Sequence, residues 1–195
     1  TMAGVWASEG TSRMAAEIGQ FSLVLALLVA VAQATIPLYG ASTNNHVLMT
    51  FAQPAAKTQC LFVAMAFGAL TYCFVVSDFS LQIVAANSHS DKPLMYKIAG
   101  VWGNHEGSML LWVLILAVFG LAVALFGKNL PSSLAARVLS VQGMIGVGFL
   151  AFVIFTSNPF VRLDPAPLNG NGLNPLLQDP GLASHPPFLY LGYVG

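Results

Sequence analysis

Gly107-Ser108-Met109-Leu110-Leu111-Trp112-Val113-Leu114-Ile115-Leu116-Ala117-Val118-Phe119-Gly120-Leu121-Ala122-Val123-Ala124-Leu125-Phe126-Gly127 runs for 21 residues without a charged side chain. At about 1.5 Å of rise per residue, a helix of this length crosses a hydrocarbon core about 30 Å thick. Lipid offers the backbone no water, so a spanning segment must satisfy its N–H and C=O groups internally, as a helix does. Working outward, three more runs read the same way: Ile18 to Leu38, Thr58 to Ser77, and about Leu134 to Thr156. Asp78, Lys128 and Asn158-Pro159 stop three of the four. Pro186 to Gly195 reads as the start of a fifth span, too short to cross unaided. The expected fold class is therefore all-α: a polytopic transmembrane helical bundle with four full spans, the start of a fifth, and a long extracytoplasmic loop.

Composition agrees. The chain has 195 residues, 56% of them hydrophobic and only 7% charged, where a soluble domain carries about a quarter charged residues. Net charge is zero and no basic cluster is present, which argues against nucleic acid as a partner and for membrane lipid. No ionisable residue falls mid-span, which argues against a transport pathway. Cys60 and Cys73 share one apolar run, about 20 Å apart along a helix, too far for a disulfide and without a CxxC pattern.

The expected organisation is an extracytoplasmic N-terminal segment (1–17), a four-span region (18–156) with an interfacial segment near 79–106, an extracytoplasmic loop (157–185) and the fifth span's start (186–195). Asn87 to Asp91 reads as a turn and Lys92-Pro93 as a helix start. The loop is rich in Pro, Gly and Asn and shows no helical period. Alternation puts the loops near 39–57 and 128–133 on one side and the N-terminus, 78–106 and 157–185 on the other. Lys57, Lys128 and Arg137 make the first side richer in basic residues for its length, marking it as cytoplasmic or matrix. His105 and His185 then face the periplasm or the intermembrane space.

Two segments stand out: Gly100-Val101-Trp102-Gly103-Asn104-His105-Glu106-Gly107, which opens the third span, and Asn174-Pro175-Leu176-Leu177-Gln178-Asp179-Pro180-Gly181-Leu182-Ala183-Ser184-His185-Pro186-Pro187. Each sets one histidine where polar sequence meets apolar. Pro186-Pro187 biases the residues before it to extended backbone, which would hold the His185 imidazole at the membrane surface rather than on a helix face. Neutral imidazole is a common ligand for haem iron, so His185 is the candidate ligand; an ordinary interfacial histidine at a helix start is the competing reading. Glu106 sits where a carboxylate favours a helix N-terminus, and Trp102 where tryptophan favours the interface. Gln20, Gln33 and Gln142 could hydrogen-bond across helices, and Gly143, Gly146 and Gly148 would let the fourth span pack closely.

These two segments, with Ala16-Glu17-Ile18-Gly19-Gln20-Phe21, Phe155 to Arg162 and Leu168 to Gly195, resemble the N-terminal part of the CcmF family, the membrane haem lyases of cytochrome c-type biogenesis in bacterial and mitochondrial inner membranes. The resemblance implies a function: taking haem from the haem chaperone CcmE and joining its vinyl groups to the two CXXCH thiols of apocytochrome c, with a CcmH-type protein presenting the peptide. It implies that His185 is one of two haem axial ligands beside a tryptophan-rich WWD segment, and so the haem iron ligand in this chain. It assigns no role to Trp102, His105 or Glu106 and no catalytic residue here. Family members continue into the WWD segment, the second ligand and further spans. The chain alone is thus expected neither to hold haem stably nor to catalyse attachment, and to need the WWD-containing part of the lyase as a partner. The alternative is a non-catalytic structural subunit of a membrane complex, derived from the same family.

Overall fold

In a computed structural model, which describes residues 2–174 and 178–194, the chain is helical; the side chains of residues 2–9 and of Lys128 are outside the description. Pro175, Leu176 and Leu177 of the second motif, Thr1, Gly195, and the side chains of Trp6 and Glu9 therefore lie outside the described residues. The order is α1 (Met2–Ser42), α2 (His46–Thr50), α3 (Ala52–Val75), α4 (Gln82–Asn87), α5 (Leu94–Gly100), α6 (His105–Phe126), a 3-10 turn (Gly127–Asn129), α7 (Ser132–Phe155) and α8 (Pro180–Val194). Four helices are long and apolar enough to cross a membrane: Gly10–Ser42, His46–Val75, His105–Phe126 and Ser132–Phe155. No β-strand forms among the described residues, only an isolated antiparallel bridge between Leu81 and Arg162.

Each expected span is found, most of them longer than read. α1 begins well before Ile18, because Ser12 and Ala16 are buried on the bundle and the backbone stays helical to meet them. The core lies where α1 and α7 close on α3 and α6, around Leu23, Val63, Leu70, Phe74, Leu110 and Leu150. Cys60 and Cys73 are buried and unpaired on α3. Buried Gly143 approaches the Ala34 N–H and Ala30 carbonyl of α1, and a Cβ on buried Gly146 would sit 2.6 Å from the Gln59 amide of α3. Gly148 departs from expectation: it is exposed and meets nothing, since it points off the buried stripe that Gly143, Gly146 and Leu150 make every third or fourth residue.

A polar layer crosses this apolar bundle. Gln33 Nε2 donates to Gln142 Oε1 (2.8 Å) and to the Leu139 carbonyl (2.9 Å), and Gln142 Nε2 donates to the Leu116 carbonyl (2.9 Å). α1, α6 and α7 are thus bonded together inside the membrane region. Gln20 makes no such bond among the described residues, where its Oε1 is buried without a partner. Gln59, which the sequence reading passed over, is buried in α3 beside Gly146.

The long loop after α7 is laid onto the α4 region at two places. Gln82 N–H donates to the Val161 carbonyl (2.9 Å) and Leu163 N–H to the Ser80 carbonyl (2.8 Å). Further on, Asn171 and Gly172 N–H groups reach the Ala85 and Ser88 carbonyls, and Gly170 approaches Ser88 so closely that a Cβ would run into its carbonyl. Arg162 joins loop to α1, donating to the Arg13 carbonyl (2.9 Å) and lying 3.5 Å from Glu17. At the opposite end Arg137 donates to the Ala41 carbonyl of α1. The N-terminal end of α1, residues 76–104 and the long loop therefore share one end of the bundle, as alternation predicts.

Candidate functional site

The site is assembled from the turn between α5 and α6. Asn104 is the N-cap of α6, its Oδ1 accepting the Gly107 N–H at 2.7 Å. Its Nδ2 reaches back to the Gly100 carbonyl (2.8 Å) and the Val101 carbonyl (3.3 Å), so one side chain ends one helix and starts the next. Gly107 is required here, because any Cβ would collide with the Val101 carbonyl. Ser108 Oγ donates to the Trp102 carbonyl at 2.7 Å. This bonded turn fixes Trp102 and His105 as neighbours at the top of α6.

His105 is exposed, with Nδ1 2.8 Å from Ser157 Oγ and its ring in a T-shaped contact with Phe152 at 6.1 Å between centroids. Glu106 occupies the first turn of α6, as read from sequence, and makes no bond among the described residues. Trp112 packs inward on Phe149 with ring centroids 4.4 Å apart.

The second motif departs from expectation. Residues 180–185 do not continue an extended loop; α8 starts at Pro180, and Pro186 and Pro187 lie inside it. The reason is local. Asp179 Oδ1 accepts the N–H groups of Gly181 (2.8 Å) and Leu182 (3.1 Å), and Pro180 takes the first helical position, where its missing N–H costs nothing. The cap and first turn outweigh the pre-proline bias toward extended backbone. His185 is consequently on a helix face after all. It is exposed, with no hydrogen-bond partner among the described residues. Ala183, buried, faces the opposite way, since two residues turn a helix by about 200°.

Trp102 Nε1 donates to the Ala183 carbonyl at 2.8 Å, which brings the two sequence motifs into contact. A cleft of about 400 Å3 opens beside this bond, lined by Trp102, Asn104, His105, Met109, Pro186 and Tyr190. Its wall is apolar and aromatic, with the Asn104 and Ser108 polar groups already committed to the turn. His105 enters this cleft; His185 does not line it. Among the described residues no three His, Cys, Asp or Glu side chains gather as a metal site. Sequence reasoning missed Ser157, Tyr190 and the Ala183 carbonyl as parts of this arrangement. The last carried a readable signal, because a proline at position 187 leaves the carbonyl four residues earlier without its helical donor.

The Cytochrome C assembly protein family model matches residues 102–195. The chain is 66% identical over 182 residues to the cytochrome c-type biogenesis protein ccl1 of Rhodobacter capsulatus, covering 93% of this chain and 28% of that protein. It is 48% identical over 183 residues to CcmF of Escherichia coli, again 93% of this chain and 28% of the relative. The chain belongs to the CcmF family. It corresponds to the N-terminal portion of that family's members and spans about 28% of the length of these CcmF relatives. Its fold resembles a solved cytochrome c heme lyase CcmF, with a TM-score of 0.80 and 28% identity over 92% of this chain and 28% of that one. This CcmF-family chain is an integral membrane protein of four apolar spanning helices.

Proposed function

We propose that the chain is the N-terminal component of a cytochrome c haem lyase, which takes haem from a chaperone of the CcmE kind and helps attach it to the CXXCH thiols of apocytochrome c. In that reaction each cysteine S–H adds across a haem vinyl C=C. Sulfur bonds the carbon next to the ring and the hydrogen goes to the terminal carbon, with no net oxidation or reduction. The work left to protein is to hold the iron, the vinyl edge and the peptide in register.

The observation that carries the reading is the imidazole of His185: exposed, without a hydrogen-bond partner among the described residues, on the face of α8 opposite the buried Ala183. That fits one axial ligand to haem carried as substrate. It does not fit a complete site, because the described residues gather no group of three metal-binding side chains. The second ligand, the WWD platform and the contacts to a CcmH-type partner belong on this reading to a segment or polypeptide covering the outer face of α8. His105 and His185 would face the periplasm, or the intermembrane space in a mitochondrion.

The test is His185→Ala in the native membrane. The lyase reading expects holocytochrome c to be lost while the membrane assembly stays intact. A structural subunit without chemistry, the reading favoured by the single imidazole, expects His185→Ala to be silent and deletion of the whole chain to disassemble a larger complex. Co-purification in mild detergent separates the two further: the first expects a polypeptide carrying a tryptophan-rich segment and a second histidine, the second only subunits of another complex.

A further inference from the structure

We propose that Trp102 is a positioning residue for His185, acting through the main-chain carbonyl of Ala183 that Pro187 leaves without an intrahelical donor. In a regular helix that carbonyl would accept the N–H of residue 187. Proline has no N–H, and its ring crowds the carbonyl it fails to serve. Ala183 is buried, so water is a poor substitute, and a buried carbonyl without a partner is costly. The indole N–H, a donor with no acceptor function, meets it at 2.8 Å.

Trp102 is itself held. Its carbonyl takes the Ser108 hydroxyl, and its turn is fixed by the bonds of Asn104. The other side-chain bonds described within α8 run from Ser184 to the Pro180 and Gly181 carbonyls and close on the helix itself. α8 packs on α5 and α6, and the Trp102 bond to one carbonyl on its inner face is the described side-chain hydrogen bond that ties it to the α5–α6 turn. His185, two residues on and on the far side of the same rigid turn, inherits that setting. The bond stands independently of any cofactor; the positioning role rests on the reading of His185 as an iron ligand.

The experiment crosses two substitutions in the protein purified from its native membrane with its partners. Trp102→Phe keeps the ring and deletes the N–H. Pro187→Ala restores a helical donor to Ala183, so the indole becomes redundant. Each Trp102→Phe variant is compared with its own parent, by amide hydrogen exchange over residues 184–191 and by the Soret band and reduction potential of bound haem. We expect Trp102→Phe to speed exchange roughly 5- to 10-fold, the worth of one net hydrogen bond, and to shift band and potential. On the Pro187→Ala background both effects should vanish. Exchange that ignores Trp102→Phe, or responds equally on both backgrounds, overturns the latch. Faster exchange with unmoved haem properties leaves the bond merely structural and overturns the positioning role. A His185→Ala variant with a parental Soret band fails the ligand reading itself, and the positioning role with it, whatever exchange shows.

Discussion

His105 Nδ1 and Ser157 Oγ stand 2.8 Å apart, tying the first residue of α6 to the residue two beyond the end of α7. A hydrogen bond at one ring nitrogen fixes the orientation of the imidazole and leaves the other nitrogen free for whatever enters the neighbouring cleft. Ser157→Ala removes the partner and keeps the backbone. The two ring nitrogens of His105 are then expected to lose their distinct 15N resonances and move toward an average; superimposable spectra of parent and variant would sink this account.

Gly107→Ala puts a methyl group into the Val101 carbonyl. The α5–α6 turn must open to admit it, at a cost of about 1–3 kcal/mol by comparison with other overpacked sites. Thermal unfolding in detergent should register the loss. An unchanged midpoint, with His105 and Trp102 still in their bonded positions, would mean that the turn is softer than its hydrogen bonds indicate.

Gly170→Ala strikes the Ser88 carbonyl at the second attachment of the long loop, while the bridge at Leu81 and Arg162 is untouched. The expected result is selective: faster limited proteolysis near residues 164–172 with little change at the 158–163 attachment. Uniform protection in the variant would show that Gly170 is not where the loop is held.

Gln33→Leu leaves Gln142 Oε1 and the Leu139 carbonyl without their donor. Interhelical hydrogen bonds in membranes average about 0.6 kcal/mol, and leaving a buried partner unsatisfied adds to that, so a loss of about 0.5–2 kcal/mol is expected. Replacing Gln33 and Gln142 together should cost less than the sum of the single changes, because neither then strands the other. Strict additivity in reversible unfolding would contradict the pairing.

The four spans were legible because uncharged runs of sufficient length in lipid have one backbone solution. Where reading fell short, the deciding contact was local or made by the main chain. Ser12 and Ala16 extend α1 because a neighbouring helix buries them, and nothing in their own run says so. At α8 two local signals conflicted: Pro186-Pro187 argued for extended chain, while Asp179-Pro180 offered a cap and a first helical residue, and the cap prevailed. His105 and Trp102 were singled out by their motif, yet their partners were invisible. Ser157 lies 52 residues from His105, and Ala183 is read through its backbone oxygen rather than its side chain.

The glutamine layer also sets an order of events during synthesis. Gln33 lies in α1, and its partner Gln142 follows 109 residues later in the order of synthesis. At about 5–20 residues per second, that is roughly 5–20 s of translation in which the Gln33 amide has yet to meet its native partner. α1 and α3, with only the short α2 between them, pack together, but α1 reaches its final hydrogen bonding only when α7 arrives. Bundle closure is therefore a late step for these four helices, timed by α7 and not by α1.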